Sequence, residues 1–232
     1  MRTSSRLKPL KYLLKEAVLS RVPDAYWLVR RWLRGPLEAE IDLLPAFADR
    51  SRLALDVGAN FGAWSRAMLP HFAGVHAFEP QPRLARMLAA AAPKRLVVHQ
   101  AAVSDRCGRV TLRVPALNLG RSTIDDHNRL DELDDPHQRI DAVDVPMLRL
   151  DDLALGRSVA FIKIDVEGHE VEVLRGAAAL LAESRPAVFV ESEERHHAGA
   201  PAEVRALMVA AGFVELALAG RNLLFIARSE AA

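Results

Sequence analysis

The sequence lacks several features that would assign a chain to a specialised class of protein. Cys107 is its one cysteine, so no disulfide can form within the chain, and a reducing compartment is favoured. No apolar run approaches the roughly 18 residues that a membrane-spanning helix needs. The N-terminus has no apolar core followed by a cleavage site, so we expect no signal peptide. These absences together predict a cytoplasmic protein.

The chain also lacks a large net charge, which is +1, so we expect no nucleic-acid partner. The charge is uneven, because residues 1–34 hold nine Lys or Arg against two Asp or Glu. Leu10, Leu14 and Val18 fall on one face of a helix there. We predict that residues 1–36 form a basic amphipathic helical arm. It would contact the anionic inner surface of a membrane, a second subunit or its own domain.

The rest of the sequence shows a regular alternation of strand-like and helical segments. Half of all residues are hydrophobic, which suits one domain with a large core over residues 37–232. The alternation predicts an α/β fold with a mostly parallel sheet covered by helices on both faces, and a final hairpin adds an antiparallel strand. The predicted strands are at 53–57, 74–78, 95–103, 110–115, 143–150, 159–165 and 187–191, and the predicted helices at 62–70, 82–91, 170–182 and 201–212.

One segment, residues 116–144, breaks this alternation and is polar and acidic. We predict that it is a long insert or lid loop, because long loops in compact domains often cover a substrate. Eight acidic and two basic residues lie between positions 125 and 144. This excess of negative charge makes an anionic substrate at that rim less expected.

Nearly every predicted strand ends in or next to an acidic residue. In an open parallel sheet, ligands bind beyond the carboxyl ends of the strands, so these acids mark the edge where a site is expected. The acids are Asp56, Glu79, Asp105, Asp165 and Glu191.

The first of these strand ends is the turn DVGANFG at residues 56–62. Its glycines allow a close approach of the backbone to a ligand, and the helix that follows favours an anion. Dinucleotide-binding turns have the pattern G-x-G-x-x-G, and here Asn60 replaces the middle glycine. The negative charge of Asp56 also opposes a diphosphate. S-adenosylmethionine suits the turn better, with Asp56 on its ammonium side and the turn amides on its carboxylate. NAD is the rival ligand.

Glu79 lies 23 positions after Asp56, at the end of the next strand. An acid about 20 residues beyond such a turn typically binds ribose hydroxyls. That role is common to NAD and S-adenosylmethionine, so it does not choose between them. The alternative is an ordinary surface charge.

The second dense cluster is DVEGHE at residues 165–170. Asp165 is expected to face a sulfonium or the incoming nucleophile, or else to cap the next helix. His169 could accept a proton near neutral pH, or simply face solvent. Both could instead bind a metal ion together with Glu191, His196 and His197. Their spacing matches no metal-binding pattern, so we expect no metal.

Six segments resemble, in their order and spacing, the FkbM family of S-adenosylmethionine-dependent methyltransferases. They are DVGANFG, AFEPQP, VVHQAAVSDRCGRVTL, LDDL, FIKIDVEGHEVEVLRGA and PAVFVE. The resemblance covers about residues 40–228, and DVEGHE preceded by FIK is its specific element. It implies a Rossmann-like methyltransferase fold of seven strands with the last one antiparallel.

The resemblance also implies site residues. Those expected at the cofactor are Asp56, Gly58, Ala59, Asn60 and Gly62 beside its methionine part, Glu79 and Pro80 at its ribose, and Ala102, Val103, Ser104 and Asp105 at its adenine. Asp165, Glu167 and His169 would face the reacting centre, with Glu191 a further candidate proton acceptor. Ser122 and Glu167 are expected on the substrate side.

The resemblance implies methyl transfer from S-adenosylmethionine to a hydroxyl on a sugar, a glycan or a small secondary metabolite. Two other functions stay open at this point. One is NAD-dependent oxidoreduction, which Asn60 and Asp56 disfavour. The other is a non-catalytic methyltransferase-like module that binds a glycan or a membrane through its basic arm.

Overall fold

The computed structural model describes residues 39–116, 119–128, 130, 139–218 and 222–228. The predicted basic arm at 1–36 lies outside them, so its structure and partners stay predictions. Within the described ranges, no helix has the length and apolar character needed to cross a membrane.

The central sheet has seven strands. They are β1 (Asp49–Val57), β2 (Phe72–Phe78), β3 (Leu96–His99), β7 (Val159–Ile164), β8 (Ala187–Glu191), β9 (Phe213–Leu216) and β10 (Asn222–Ala227). Their order across the sheet is β3-β2-β1-β7-β8-β10-β9. β10 runs antiparallel to both of its neighbours, and the other neighbouring pairs are parallel. The predicted α/β fold, with a mostly parallel seven-stranded sheet and an antiparallel last strand, is therefore confirmed.

A second, smaller sheet differs from the sequence-based expectation. It consists of β4 (Ala102–Val103), β5 (Gly108–Pro115) and β6 (Ile140–Leu148) in the order β4-β6-β5. The predicted single strand at 95–103 is two strands in two sheets, because the chain bends at Ala101. β5 and β6 pair antiparallel from Gly108 opposite Met147 to Pro115 opposite Ile140. The predicted insert at 116–144 therefore ends sooner than expected, since Ile140 already belongs to β6.

The helices of the described residues pack on both faces of the central sheet. They are α1 (Ala63–Met68), α2 (Pro82–Ala90), α3 (Glu170–Arg175), α4 (Ala178–Ser184) and α5 (Ala200–Ala210), with 3₁₀ helices at Ala39–Phe47, Leu119–Arg121 and Leu150–Asp152. The predicted helix at 170–182 is broken between α3 and α4. The break lies at Gly176, where a Cβ would come 1.9 Å from the carbonyl oxygen of Ser104. At Gly176 the chain therefore comes closer to the residue after β4 than it could if a side chain were present there.

Two apolar layers hold the central sheet between the helices. All six residues of β7 are buried, as expected for a strand covered on both faces. Ile162 and Ile164 contribute to the layer beneath α3, α4 and α5, whereas Phe161 packs with aromatic residues on the other face. There the rings of Trp64 and Phe189 have centroids 4.9 Å apart. Burial on both faces fixes the strands in register, so their carboxyl ends share one edge.

At that edge, the turn after β1 packs directly on the chain leaving β7. Val57 pairs with Ile164, so Gly58 lies beside Asp165. Gly58 has φ +78°, and a Cβ there would come 1.8 Å from the carbonyl oxygen of Asp165. A Cβ on Gly62, also at φ +78°, would come 2.4 Å from Leu88. The backbone contact requires a glycine at position 58, and the left-handed backbone favours glycine at both positions.

Candidate functional site

A cleft opens at the carboxyl ends of β1, β2 and β7. Ten of the residues predicted as site residues line it: Gly58, Asn60, Glu79, Pro80, Ala102, Val103, Ser122, Asp165, Glu167 and His169. Six other predicted residues are not among the described residues that line it: Asp56, Ala59, Gly62, Ser104, Asp105 and Glu191. The cleft joins the first turn, the end of β2 and the DVEGHE turn in one place.

Glu79 is fixed in the wall of this cleft by backbone donors. Its side chain is almost completely buried, and the residue is 5% exposed. Oε2 accepts a hydrogen bond from Asn60 N at 2.7 Å, and Oε1 accepts one from Gln81 N at 2.9 Å. Burial raises the pKa of Glu79 to about 7, although the two backbone hydrogen bonds oppose that rise. Each oxygen keeps a further acceptor position, so an ionised Glu79 can bind ligand hydroxyls.

The amides of the first turn are already engaged within the protein. Those of Gly58 and Ala59 both donate to the carbonyl of Phe78 at 3.0 Å, and that of Gly62 donates to Ala59 at 2.7 Å. The amide of Asn60 donates to Glu79. We expected turn amides to bind an anionic group, but these four lie against the end of β2 and bond to it or to the turn itself. They do not form an array that could bind a pyrophosphate.

Behind the turn lies a buried cation between two acids. Lys163, which is 3% exposed, donates to Gly58 O at 3.0 Å and to Asp165 Oδ2 at 3.3 Å, and its Nζ lies 3.7 Å from Asp56 Oδ1. Asp56 is fully buried and accepts a hydrogen bond from Ser65 Oγ. Burial raises the pKa of Asp56, and the positive charge of Lys163 opposes that rise. Asp56 therefore serves the internal structure of the turn.

His169 lies beside the residues predicted to border the adenine. Its Nε2 is 2.9 Å from Ser104 Oγ, and its Nδ1 is 3.5 Å from Glu172 Oε2. Burial lowers the pKa of His169, with nearby acids opposing the effect. The imidazole is therefore largely neutral at pH 7, which is the form that can accept a proton.

The residues weighed as an alternative metal set do not converge. Asp165 contacts Lys163, and His169 contacts Ser104. His196 and His197 approach Glu167 and Asp125 respectively. Glu191 follows Val190, which pairs with Ile164, so it lies next to Asp165 along the sheet edge but outside the cleft lining.

A comparison with known families identifies the domain. A family model described as the methyltransferase FkbM domain matches residues 56–215. This chain belongs to the FkbM methyltransferase family. The match includes both the first turn and DVEGHE, and family and fold together imply the use of S-adenosylmethionine. None of the curated proteins compared matches the chain.

Solved structures resemble this chain at low sequence identity, and the first of them shares its fold. A methyltransferase FkbM from Methylobacillus flagellatus is 17% identical with a TM-score of 0.52, and 84% of this chain aligns with 46% of that one. This chain thus spans about half the length of that relative. A TehB-like methyltransferase from Corynebacterium glutamicum (11% identity, TM-score 0.46) aligns over 92% of this chain and 100% of its own. The sugar N-methyltransferase KedS8 from Streptoalloteichus (12%, 0.47) aligns over 88% and 93%.

In the FkbM domain, the insert supports the DVEGHE turn, which the sequence did not indicate. The carbonyl of Glu167 accepts hydrogen bonds from Thr123 Oγ1 at 2.9 Å and Asn128 Nδ2 at 2.8 Å. Glu170 Oε1 accepts from Gly168 N at 2.9 Å, and burial raises the pKa of Glu170 to about 7. An acidic loop gives no sequence signal for such contacts. The role of Lys163, in contrast, had a sequence signal, because Lys163 is a charged residue within an apolar strand.

We predict that Lys163→Met destabilises the FkbM domain by about 3–5 kcal/mol, because it leaves Asp56 and Asp165 without their buried cation. The free energy of unfolding in urea measures the effect. The matched control is the double variant Lys163→Met/Asp56→Asn, which removes the uncompensated charge and should recover part of the loss. A single variant as stable as the parent chain would show that Lys163 does not have this role.

Proposed function

We propose that this FkbM domain transfers a methyl group from S-adenosylmethionine to a hydroxyl of a sugar, a glycan or a small secondary metabolite. The observation that supports it best is the polar lining of the cleft. Three carboxylates, Glu79, Asp165 and Glu167, line it. The turn amides that would favour an anion are occupied.

This lining fits a cationic nucleoside better than a dinucleotide. S-adenosylmethionine carries a sulfonium and an ammonium group, and both gain from nearby carboxylates. A pyrophosphate would bring two negative charges towards the same carboxylates without the backbone donors that usually hold it. The alternative of an NAD-dependent oxidoreductase is therefore disfavoured by the charge of the cleft as well as by Asn60.

The nucleoside would lie between Glu79 and the apolar part of the lining. Glu79 would accept hydrogen bonds from the ribose hydroxyls, since its oxygens are held by Asn60 and Gln81. Ala102 and Val103 form a buried apolar wall that suits the adenine ring. Ser104 and Asp105 follow Val103 in the chain and are not part of the lining, and Ser104 contacts His169.

When bound, S-adenosylmethionine supplies an electrophilic methyl group on its sulfonium. The task of the protein is then to orient the acceptor hydroxyl and to take up its proton. Asp165 and His169 line the cleft and are the proposed proton acceptors, whereas Glu191 lies outside the lining. Ser122 and Glu167 are proposed to contact the acceptor molecule.

We predict that S-adenosylhomocysteine at about 100 times its dissociation constant stabilises the chain by about 2.7 kcal/mol.

Glu79→Gln should weaken the binding of S-adenosylhomocysteine at least about tenfold, because a hydrogen bond to a charged acceptor is lost. The matched control is Glu170→Gln, which changes an acid of similar burial and raised pKa outside the cleft lining. Thermal unfolding with and without ligand measures both. Equal weakening by the two variants would contradict the assignment of Glu79.

The same assignment predicts a pH dependence of binding. Glu79 in the free protein has a pKa of about 7, and only its ionised form accepts from both ribose hydroxyls. The affinity should therefore fall by about tenfold from pH 8 to pH 6, as the competent fraction falls. Glu170→Gln should retain this dependence, whereas Glu79→Gln should lose it.

Transfer to oxygen is tested with isotopically labelled S-adenosylmethionine and neutral methyl glycosides, alongside the matching amino sugars. We expect label in the hydroxyl compounds as a stable ether, and a loss of at least about a hundredfold in rate with His169→Asn if it accepts the proton. Label found in the amino sugars alone would contradict O-methylation.

A further inference from the structure

A second cleft adjoins the first, and Glu167 lines both. Three side chains converge at this second cleft from two separate loops: Asp125 and His127 from the insert, and His197 from the segment after β8. His127 Nδ1 lies 3.0 Å from Asp125 Oδ1, and His197 Nδ1 lies 3.2 Å from Asp125 Oδ2. One potential ligand atom from each residue lies within 4.8 Å of the others.

The buried carboxylate of this cluster is only partly satisfied. Asp125 is 5% exposed, and its Oδ2 has no hydrogen-bond partner among the described residues. His197 Nδ1 faces Oδ2, but the two are not aligned for a hydrogen bond, and Nδ1 is also unsatisfied in the described part of the chain. An unsatisfied buried polar group destabilises the fold, and more strongly when it is charged. Something that bonds to both atoms would remove that destabilisation.

The ligand atoms of the cluster lie within 4.8 Å of one another, which is slightly wider than the spacing of ligands around one ion. Zinc–nitrogen and zinc–oxygen bonds of about 2.0–2.2 Å in a tetrahedral site place neighbouring ligand atoms roughly 3.4 Å apart. The rings of His127 and His197 are stacked, with centroids 4.5 Å apart and planes inclined by 23°, so both imidazoles approach Asp125 from one side. A small movement of either ring would direct its nitrogen to a shared ion.

We propose that Asp125, His127 and His197 bind a divalent transition-metal ion of the zinc type. Two imidazole nitrogens and one carboxylate form a ligand set of catalytic zinc sites, which keep a fourth position open. Calcium and magnesium prefer oxygen ligands throughout, so they fit this set poorly. The expectation of no metal came from a set of residues that included His197 but not Asp125 and His127, which lie far from His197 in sequence.

The charges around the cluster permit a cation. Arg195 lines the second cleft, and its guanidinium donates to Glu193 Oε1 at 2.7 Å, which offsets its charge. Asp126 and Glu194 also line that cleft. Glu167 and a second arginine, Arg121, line the cleft as well, so three acids face two arginines and the balance of these charges is negative.

The site would tie the insert to the DVEGHE turn. A Cβ on Gly168 would come 2.7 Å from Asp125 Oδ2, so the turn lies against the proposed ligand. An ion there would join the insert to the segment that carries His197, directly over the turn. Metal binding does not depend on the proposed methyl transfer, and each can fail without the other.

The test is a calorimetric titration of zinc ions into the untagged full chain after treatment with a chelator. We expect one ion per chain with a dissociation constant below about 1 μM. Asp125→Asn should weaken it at least about tenfold. His127→Ala should do the same and leave the fold intact, because the His127 side chain is 72% exposed.

The matched control is His99→Ala. His99 Nε2 lies 3.0 Å from His76 Nδ1, so these residues form a second pair of imidazoles, without a carboxylate in the described contacts. Zinc affinity should be unchanged in this variant. The absence of one-to-one binding, or equal affinity in the parent chain, Asp125→Asn and His127→Ala, would overturn the proposal, as would a loss of binding on removal of His99.

Discussion

The buried ammonium of Lys163 is the interaction on which the site depends most. It lies where two parallel strands end in aspartates, and it contacts both carboxylates and the carbonyl of Gly58. Without a cation, the carboxylate of the fully buried Asp56 and that of the nearby Asp165 would repel each other. With the cation between them, the turn after β1 and the turn after β7 can pack together, and this contact places Glu79 and Asp165 on one cleft.

The chemistry of the cleft follows from how its polar groups are used. Four amides of the first turn donate to the carbonyls of Phe78 and Ala59 and to the carboxylate of Glu79. The polar groups that still face the cleft therefore include three carboxylates and a largely neutral histidine. Such a lining favours a ligand with positive charge and hydroxyl donors. FkbM membership and the charge of the cleft thus favour the same cofactor.

Much of the fold could be predicted from the sequence, because burial on both faces leaves a strong pattern. The strand at 187–191 agrees with β8, and β7 stands out as an apolar run. The close contact at Gly176 could not be predicted, since it involves the carbonyl of Ser104, which follows β4 and lies far away in sequence. The support of the DVEGHE turn by Thr123 and Asn128 was also not predictable, because an acidic loop has no periodicity. Of the five acids at strand ends, Glu79 and Asp165 line the cleft, and the sequence did not indicate the internal role of Asp56.

The central claim is that this cleft selects a cationic nucleoside over a dinucleotide. It is tested most directly by titrating S-adenosylmethionine and NADH in turn into the full chain at neutral pH, with calorimetric detection. We predict saturable one-to-one binding of S-adenosylmethionine and no detectable binding of NADH. Binding of NADH with an affinity equal to or greater than that of S-adenosylmethionine would contradict the claim.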